Sequence, residues 1–255
     1  MTVVKDRPVT VTAQTREELC HHVKEYLIET LAHLIKYNGL ISIGVSGGSM
    51  PKLICDVLKS IDNFEWKRVR LFMVDERIVP VTDAESNYGQ YLANLPAECH
   101  QYIVPVEIAE SGPISEASKT ALQYESTLRA TLCPEQIGRL PRFDMLFLGM
   151  GPDGHTCSLF PGHRLLQKVD LIREVNDLLT WVVAVTDSPK PPSQRISLTL
   201  PVLNAAKNVA FIITGEDKAS MTVLESDVQH VPASFVKPFS KKLRFFLDKG
   251  AASKL

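Results

Sequence analysis

Residues 40–61 read LISIGVSGGSMPKLICDVLKSI, and this stretch says most about the architecture of the protein. The apolar run at 40–45 is too short for a helix and is rich in Ile and Val, which predicts a buried strand. After a glycine turn at 46–49, apolar residues recur at helical spacing over 50–61, which predicts a helix that Ser49 can cap. A buried strand that runs through a tight turn into a helix is typical of a parallel sheet covered by helices.

The same alternation continues on both sides of this stretch. A capping box of Thr15 and Glu18 predicts the start of the first helix, and Asn38–Gly39 predicts its end. Further strands are predicted at 69–74, 144–149, 181–185, 195–200, 209–214 and 242–247, with helices at 115–132 and 216–225. We therefore predict an α/β fold: a Rossmann-like open, mostly parallel sheet with helices on both faces, plus a small additional strand-containing region. No domain boundary is visible, so residues 1–255 are expected to form a single domain.

The composition excludes several classes of protein. The chain has 28 Lys and Arg against 29 Asp and Glu, whereas a nucleic-acid binder usually shows a basic excess. No apolar run approaches the roughly 20 residues that a membrane span needs. The 5 cysteines are far apart and form no CxxC pair, which indicates reduced thiols and neither a disulfide framework nor a zinc site. We expect a monomer that binds no nucleic acid and no membrane.

The carboxyl end of the sequence carries a targeting signal. Ser253, Lys254 and Leu255 spell a peroxisomal tripeptide, which an import receptor reads at a free carboxyl end. Residues 1–12 lack the order of a secretory signal. We therefore expect the protein in the cytoplasm and in a peroxisome-type organelle, with the import receptor as a partner of residues 253–255.

Glycines cluster directly after two predicted strands, where the carboxyl ends of a parallel sheet form a ligand crevice. The first cluster is Ser46-Gly47-Gly48-Ser49. Glycine lets the backbone approach an anion closely, and the following helix offers free N–H groups, so this loop suits a phosphate monoester. The alternative is a tight turn without a ligand, and the sequence leaves both possibilities open.

The second cluster surrounds Asp153 and His155 in the stretch LGMGPDGHTCS at 148–158. An imidazole is well suited to take a proton near neutral pH, and a nearby carboxylate can orient the ring. The glycine context favours a catalytic histidine over a surface one. Cys157 has no evident basic partner, so we interpret it as a packing thiol.

Charged residues follow other predicted strands. Asp75, Glu76 and Arg77 come after the strand at 69–74 and form either part of the crevice or an ion-pair cluster at the end of the sheet. A polar loop is predicted at 84–89. Three basic side chains at separate strand ends would suit a phosphorylated substrate, although each alone is typical of a solvated surface charge; they are Lys190, Arg195 and Lys218.

Six motifs of the chain occur in the same order in a known family. They are SGGS at 46–49, DERIVP at 75–80, ESNYG at 85–89, LGMGPDGHTCSLFP at 148–161, SPKPPSQRISLTLPVLNAA at 188–206 and TGEDKA at 214–219. Through them the chain resembles the family of 6-phosphogluconolactonases. It is similar, through weaker versions of the first and last motifs, to the related glucosamine-6-phosphate isomerases and deaminases.

The resemblance implies hydrolysis of 6-phospho-D-glucono-1,5-lactone to 6-phospho-D-gluconate in the oxidative pentose phosphate pathway, without a metal or an organic cofactor. It implies that His155 is the catalytic base, with Asp153 beside it and Arg77 in the crevice. The substrate-binding residues that it implies are Ser46, Gly47, Gly48, Ser49, Asp75, Lys190, Arg195 and Lys218. We expect His155 to take a proton from the attacking water and return it to the ring oxygen. Either Arg77 or backbone N–H groups of 151–154 would stabilise the oxyanion.

Two other functions fit the same residues. A sugar-phosphate isomerase or deaminase would use a carboxylate base, for which Asp75 is available. A sugar-phosphate sensor would keep the crevice without catalysis.

Overall fold

The computed structural model contains two sheets and describes residues 8–37, 39–108, 115–132, 140–167, 180–222 and 231–255. Its strands are β1 (Val9–Ala13), β2 (Ile41–Val45), β3 (Val69–Met73), β4 (Asp75–Arg77), β5 (Met145–Leu148), β6 (Val182–Val185), β7 (Arg195–Leu198), β8 (Val209–Ile213) and β9 (Leu243–Asp248). The larger sheet has the order β1-β9-β8-β5-β2-β3, and all neighbouring strands in it are parallel. The smaller sheet, β4-β7-β6, is antiparallel.

Helices flank these sheets. They are α1 (Arg16–Leu34), α2 (Met50–Lys59), α3 (Asn87–Asn94), α4 (Ser115–Leu132), α5 (Arg164–Gln167), α6 (Leu200–Ala205) and α7 (Ala219–Thr222), with short 3-10 helices at 66–68, 97–102, 216–218 and 232–235. α1 packs against α2, β1 and β9, and α4 packs against β6 and β7. The predicted α/β class, a parallel sheet flanked by helices with a small additional strand-containing region, is therefore confirmed. None of the helices within the described residues is long and apolar enough to cross a bilayer.

The apolar runs form the core, as their sequences predict. Every residue of β2, β5 and β8 is buried, because other strands flank these three on both sides and helices cover the sheet. Large aromatic side chains from separate strands fill the interior: Phe72, Phe147, Phe211 and Phe246 are each at most 1% exposed.

The two predicted caps behave differently. Thr15 caps α1, since its hydroxyl accepts a hydrogen bond from the Glu18 N–H at 3.1 Å. Ser49 lies at the N-cap position of α2, but in the described chain its hydroxyl forms no capping bond. The expectation that Ser49 caps this helix is wrong, because its backbone already has helical dihedral angles that turn the side chain away. At the start of α2, the Met50 N–H donates to the Gly47 carbonyl at 3.4 Å, and Pro51 has no N–H to donate.

Several elements differ from the sequence prediction. β1 and α3 were not predicted, and α3 begins within the segment expected to be a polar loop. The strand expected at 195–200 ends at Leu198, since α6 begins at Leu200. The helix expected at 216–225 starts as a 3-10 helix and continues as α7 to Thr222, beyond which it lies outside the described residues.

The order of the large sheet locates its ligand crevice. From β2 the chain moves outward to β3, whereas from β5 it moves in the opposite direction to β8 and β9. The loops after β2 and β5 therefore diverge, and a crevice opens between them at the carboxyl ends of the strands.

Candidate active site

A cleft of about 320 Å3 lies at this point of the sheet. Segments that follow β2, β5 and β8, together with β4 and the start of β7, build its walls, and the first three agree with the position expected for a parallel sheet. Most of the residues singled out in the sequence line it: Ser46, Gly47, Gly48, Ser49, Asp75, Arg77, His155, Arg195 and Lys218. Among the described residues, Asp153 and Lys190 are not part of this lining, and the side chains of both lie close to His155 Nδ1.

The loop between β2 and α2 forms one end of the cleft. Gly48 has a φ of 69°, a left-handed conformation that favours glycine. Gly47 lies against the buried side chain of Asn87, and a Cβ atom added at Gly47 would lie 1.7 Å from Asn87 Oδ1. The loop therefore requires its glycines, and it places the N-terminus of α2, the positive end of the helix dipole, next to the cleft, where an anion is favoured.

Ser46 joins this loop to the loop after β5. Its N–H donates to the carbonyl of Phe147 at 3.1 Å, and its own carbonyl accepts from the Tyr91 hydroxyl at 2.9 Å. Its Oγ accepts from the Gly149 N–H at 3.3 Å. Ser49 Oγ, in contrast, is near Thr214 Oγ1 at 3.5 Å on the open side of the cleft.

His155 is held from one side by a carboxylate. Its Nδ1 lies 2.5 Å from Asp153 Oδ1, and the Phe160 ring packs against the imidazole at 4.7 Å between centroids. Because an ionised carboxylate only accepts hydrogen bonds, Nδ1 must carry the proton in this pair. The neutral ring therefore has its lone pair on Nε2, which is the arrangement that a general base needs.

The electrostatic environment keeps this ring neutral. Burial lowers the pKa of His155 below its ordinary value of 6.5, an effect that Asp153 opposes and Lys190 reinforces. Burial by itself would raise the pKa of Asp153, but hydrogen bonds from His155 and Lys190 lower it to about 2. At neutral pH the pair is thus an ionised carboxylate and a neutral imidazole that carries its proton on Nδ1.

Arg195 is buried and ties the proline-rich loop together. Its Nε donates to the Pro192 carbonyl at 3.0 Å, and its Nη2 donates to the carbonyls of Lys190 and Pro191 at 3.1 and 3.0 Å. The guanidinium also lies over the Phe160 ring, 5.5 Å from its centroid. Much of its donor capacity thus goes to the loop that carries Lys190.

Arg77 reaches the cleft from β4. Its Nη1 donates to the carbonyl and the carboxylate of Glu85, both at 2.8 Å. Its Nε is buried and has no hydrogen-bond partner among the described residues. The Arg77 side chain as a whole is 15% exposed and lines the cleft, so its guanidinium can contact a bound ligand there.

Asp75 and Lys218 both line the cleft but have protein partners. Asp75 Oδ2 accepts from the Ser158 hydroxyl at 2.8 Å, and the residue is 5% exposed. Lys218 Nζ donates to the Thr214 carbonyl and is 3.6 Å from the Asp217 carboxylate. The Lys218 side chain is 20% exposed, so its ammonium has access to the cleft.

Two neighbours of the cleft have partners that the sequence did not predict. Glu76, expected in the crevice or in an ion-pair cluster with Arg77, is fully buried and accepts from the backbone N–H groups of Arg77, Asn87 and Tyr88 at 2.6–2.8 Å. Asn87 donates from Nδ2 to the Asp75 carbonyl at 2.9 Å and abuts Gly47. The sequence signal was the Ser86 cap, which starts α3 by accepting from the Gly89 N–H.

Cys157 also lines the cleft, in a left-handed conformation with a φ of 51°. Burial raises the pKa of this thiol well above its ordinary range. A protonated thiol is a poor nucleophile, which agrees with its interpretation as a packing residue.

Comparison with known proteins gives the family. The model for "Glucosamine-6-phosphate isomerases/6-phosphogluconolactonase" matches residues 14–245. The chain is 38% identical over 247 residues to 6-phosphogluconolactonase from Rattus norvegicus, covering 92% of this chain and 89% of the relative. It is 41% identical over 222 residues to the Homo sapiens protein of that name, covering 83% and 79%.

A solved structure extends this likeness to the fold. The 6-phosphogluconolactonase from Trypanosoma cruzi matches with a TM-score of 0.81 and 25% identity, covering 100% of this chain and 99% of that one. The motifs, most of the sequence and the fold all match those of known proteins. The chain therefore belongs to the glucosamine-6-phosphate isomerase/6-phosphogluconolactonase family.

Proposed function

We propose that this protein is an enzyme of the oxidative pentose phosphate pathway that hydrolyses 6-phospho-D-glucono-1,5-lactone to 6-phospho-D-gluconate. One observation carries the proposal: His155 and the glycine loop at 46–49 line the same cleft. Its volume of about 320 Å3 is at the lower end of the range for small-molecule sites, which suits one sugar phosphate. The names of the relatives support the same substrate.

In the proposed reaction, His155 Nε2 takes a proton from a water molecule that attacks the lactone carbonyl carbon C1. The C–O bond between C1 and the ring oxygen then breaks, and the imidazolium returns its proton to that oxygen. Asp153 holds the Nδ1–H and favours the imidazolium formed between the two steps. Water is consumed and His155 is regenerated, so the step balances without a further reactant.

We assign stabilisation of the oxyanion to Arg77. Of the candidate backbone donors, the N–H groups of Gly151 and Gly154 already bond to carbonyls of their own loop at 2.9 Å. The Arg77 guanidinium, in contrast, lines the cleft on a side chain that is 15% exposed. A fixed donor with a charge is the more effective stabiliser of a developing oxyanion.

We assign the phosphate group to the loop 46–49, with Lys218 and Arg195 as its charged partners. The N-terminus of α2 and an ammonium with access to the cleft both favour an anion at that end. Holding the phosphate there fixes the distant lactone carbonyl near His155. Asp75 is held by Ser158 and would support the sugar hydroxyl groups.

A rapid assay on freshly generated 6-phosphogluconolactone tests the activity, with the spontaneous hydrolysis subtracted. The proposal predicts turnover of the lactone and no ammonia from glucosamine 6-phosphate. Ammonia release without lactone hydrolysis would assign the protein to the deaminases of the family. Binding of the lactone without turnover of either compound would identify a sensor.

Lys218→Ala tests the phosphate site. Loss of a charged hydrogen bond costs about 1.5–3 kcal/mol, so KM should rise roughly tenfold to a hundredfold while kcat changes little. Lys119→Ala, at an exposed position on α4, removes the same charge elsewhere and should change neither constant. A fall in kcat alone in Lys218→Ala would contradict the phosphate role.

We further propose that residues 253–255 direct part of the protein to a peroxisome-type organelle, alongside a cytoplasmic pool. All three residues are exposed, and Leu255 is 64% exposed, so a receptor can reach them. A fluorescent protein fused in front of the chain should reach the organelle, and deletion of Leu255 should leave it cytosolic. Import that persists without Leu255 would refute the proposal.

A further inference from the structure

We propose that Lys190 is a positioning residue that, together with Asp153, sets the acidity of the catalytic base, in place of the substrate contact expected from sequence. The inference rests on the proposed function and deepens it. Lys190 Nζ lies 3.1 Å from Asp153 Oδ1, the same oxygen atom that His155 Nδ1 contacts, and 3.4 Å from Nδ1 itself. The three side chains thus form a cation–carboxylate–imidazole cluster behind the cleft.

The contact between Lys190 and the ring is repulsive once the ring is protonated. Lys190 Nζ carries only donors, and Nδ1 already directs its proton to Asp153, so the 3.4 Å approach is not a hydrogen bond. It places two positive charges close together whenever His155 takes up a proton. Lys190 therefore disfavours the imidazolium that Asp153 favours.

The backbone of Lys190 fixes this ammonium in place. Arg195 donates to the Lys190 carbonyl at 3.1 Å, and the Ser188 hydroxyl donates to the same carbonyl at 2.8 Å. The Lys190 N–H in turn donates to Ser188 Oγ at 3.2 Å. Because these bonds use only main-chain atoms of Lys190, replacement of its side chain should leave the loop folded.

Other charges around the ring do not duplicate this effect. Asp153 and Asp75 both favour a protonated imidazole. The Arg195 guanidinium lies over the Phe160 ring and donates to carbonyls of the proline-rich loop. Arg77 and Lys218 line the cleft, where the proposed function assigns them to the oxyanion and the phosphate. Among the described residues, Lys190 is the cation that lies 3.4 Å from Nδ1 and lowers the pKa of His155.

This arrangement has a chemical consequence in both proton transfers. A disfavoured imidazolium leaves more His155 unprotonated near neutral pH, which raises the fraction of enzyme ready to activate water. The same imidazolium is a stronger acid, so it returns the proton more readily to the leaving ring oxygen. Lys190 and Asp153 therefore set the acidity of His155 by opposing effects.

The test is the acidic limb of the kcat/KM profile, which reports the base in the free enzyme. In Lys190→Met the limb should move to higher pH by about 1 unit, while KM at the optimum stays near the wild-type value. In Asp153→Asn it should move in the opposite direction, because the favourable carboxylate is lost, and kcat should also fall. Lys190→Arg should restore most of the wild-type profile.

Lys119→Met is the matched control, since it removes an exposed positive charge on α4 and should leave the limb in place. A raised KM in Lys190→Met with an unchanged limb would overturn the proposal and assign Lys190 to substrate binding. A limb that moves to lower pH would also overturn it.

NMR titration of the His155 ring separates this proposal from the proposed function. The signal is identified by its absence in His155→Ala, and its pKa should be higher in Lys190→Met than in the wild type. This measurement needs no substrate, so it stands even if the protein fails to hydrolyse the lactone. An identical His155 pKa in the two proteins would refute the role of Lys190.

Discussion

Gly47 and Asn87 show how closely the glycine loop at 46–49 fits its surroundings. Asn87 is completely buried, and its Oδ1 has no hydrogen-bond partner among the described residues. This oxygen occupies the space that a Cβ atom of residue 47 would need, so the loop packs directly against the Asn87 amide. The identity of residue 47 is therefore set by a side chain that is distant in sequence.

Gly47→Ala should disturb this contact. The added methyl group would lie 1.7 Å from Asn87 Oδ1, so the loop must shift, at a cost of about 1–3 kcal/mol in unfolding free energy and with a raised KM for the lactone. Urea denaturation and steady-state kinetics measure the two effects. Gly39→Ala is the control, because a Cβ there meets no atom within 4 Å. Equal stability of the two variants would show that the loop has room for a side chain.

The sequence predicted the chemistry of single residues better than their partners. Asp153 and His155 are two positions apart in a glycine-rich loop, so their pairing follows from local chain geometry. The positions of Lys190 and Arg195 depend on how the proline-rich loop folds back on the cluster. No local pattern reports such a tertiary contact, so the sequence did not predict that Lys190 lies next to Asp153 and His155.

At the scale of elements, α3 depends on a carboxylate from the neighbouring strand β4. Glu76 is completely buried, and its oxygen atoms accept from the N–H groups of Asn87 and Tyr88 in the first turn of α3. Burial raises the pKa of Glu76 to about 7, although these backbone hydrogen bonds oppose the rise. The helix α3, which positions Asn87 beside the cleft, is thus hydrogen-bonded to the smaller sheet through the Glu76 side chain, whose pKa is about 7.

Glu76 should make stability depend on pH in a defined direction. Its pKa in the folded state, about 7, is above the ordinary 4.5 of an unfolded chain, so the folded state binds the proton more tightly. The free energy of unfolding should fall as pH rises from about 4.5 to 7, by at most about 1.4 kcal/mol per pH unit. Denaturation of the wild type against Glu76→Gln isolates this contribution.

Glu98→Gln, at an exposed position, is the control for that series and should follow the wild-type pH dependence. A difference between wild type and Glu76→Gln that grows in favour of the wild type with rising pH would contradict the assignment. It would mean that the three backbone donors outweigh burial and keep Glu76 ionised.

The elements missed from sequence differ in the signals that they carry: β1 has the alternation typical of a strand, whereas α3 has no apolar stripe. β1 is an edge strand, largely exposed, with the alternating sequence VTVTA, and it is stabilised by parallel pairing with β9 at the far end of the chain. α3 buries only Asn87 and Tyr91, so it shows no apolar stripe. Buried elements such as α1, β2 and β8 were predicted because the apolar residues of each form a helical stripe or an uninterrupted run.

At the scale of the whole molecule, the cleft forms where the two sheets meet. The chain passes from β3 through Val74 directly into β4, and Val74 bonds to both sheets: its N–H donates to Val45, and its carbonyl accepts from Leu198. The parallel sheet supplies the anion loop and the His155 loop, while the antiparallel sheet supplies Arg77 and Arg195. Neither sheet alone would contain a complete site.

The most direct measurement is the turnover number of His155→Ala on freshly generated 6-phosphogluconolactone, with His21→Ala as an exposed control. The proposed mechanism predicts a kcat about a hundredfold or more below the wild type, an unchanged KM and an unchanged melting temperature, with partial recovery on addition of free imidazole. A His155→Ala protein that hydrolyses the lactone at a near-normal rate would contradict the mechanism.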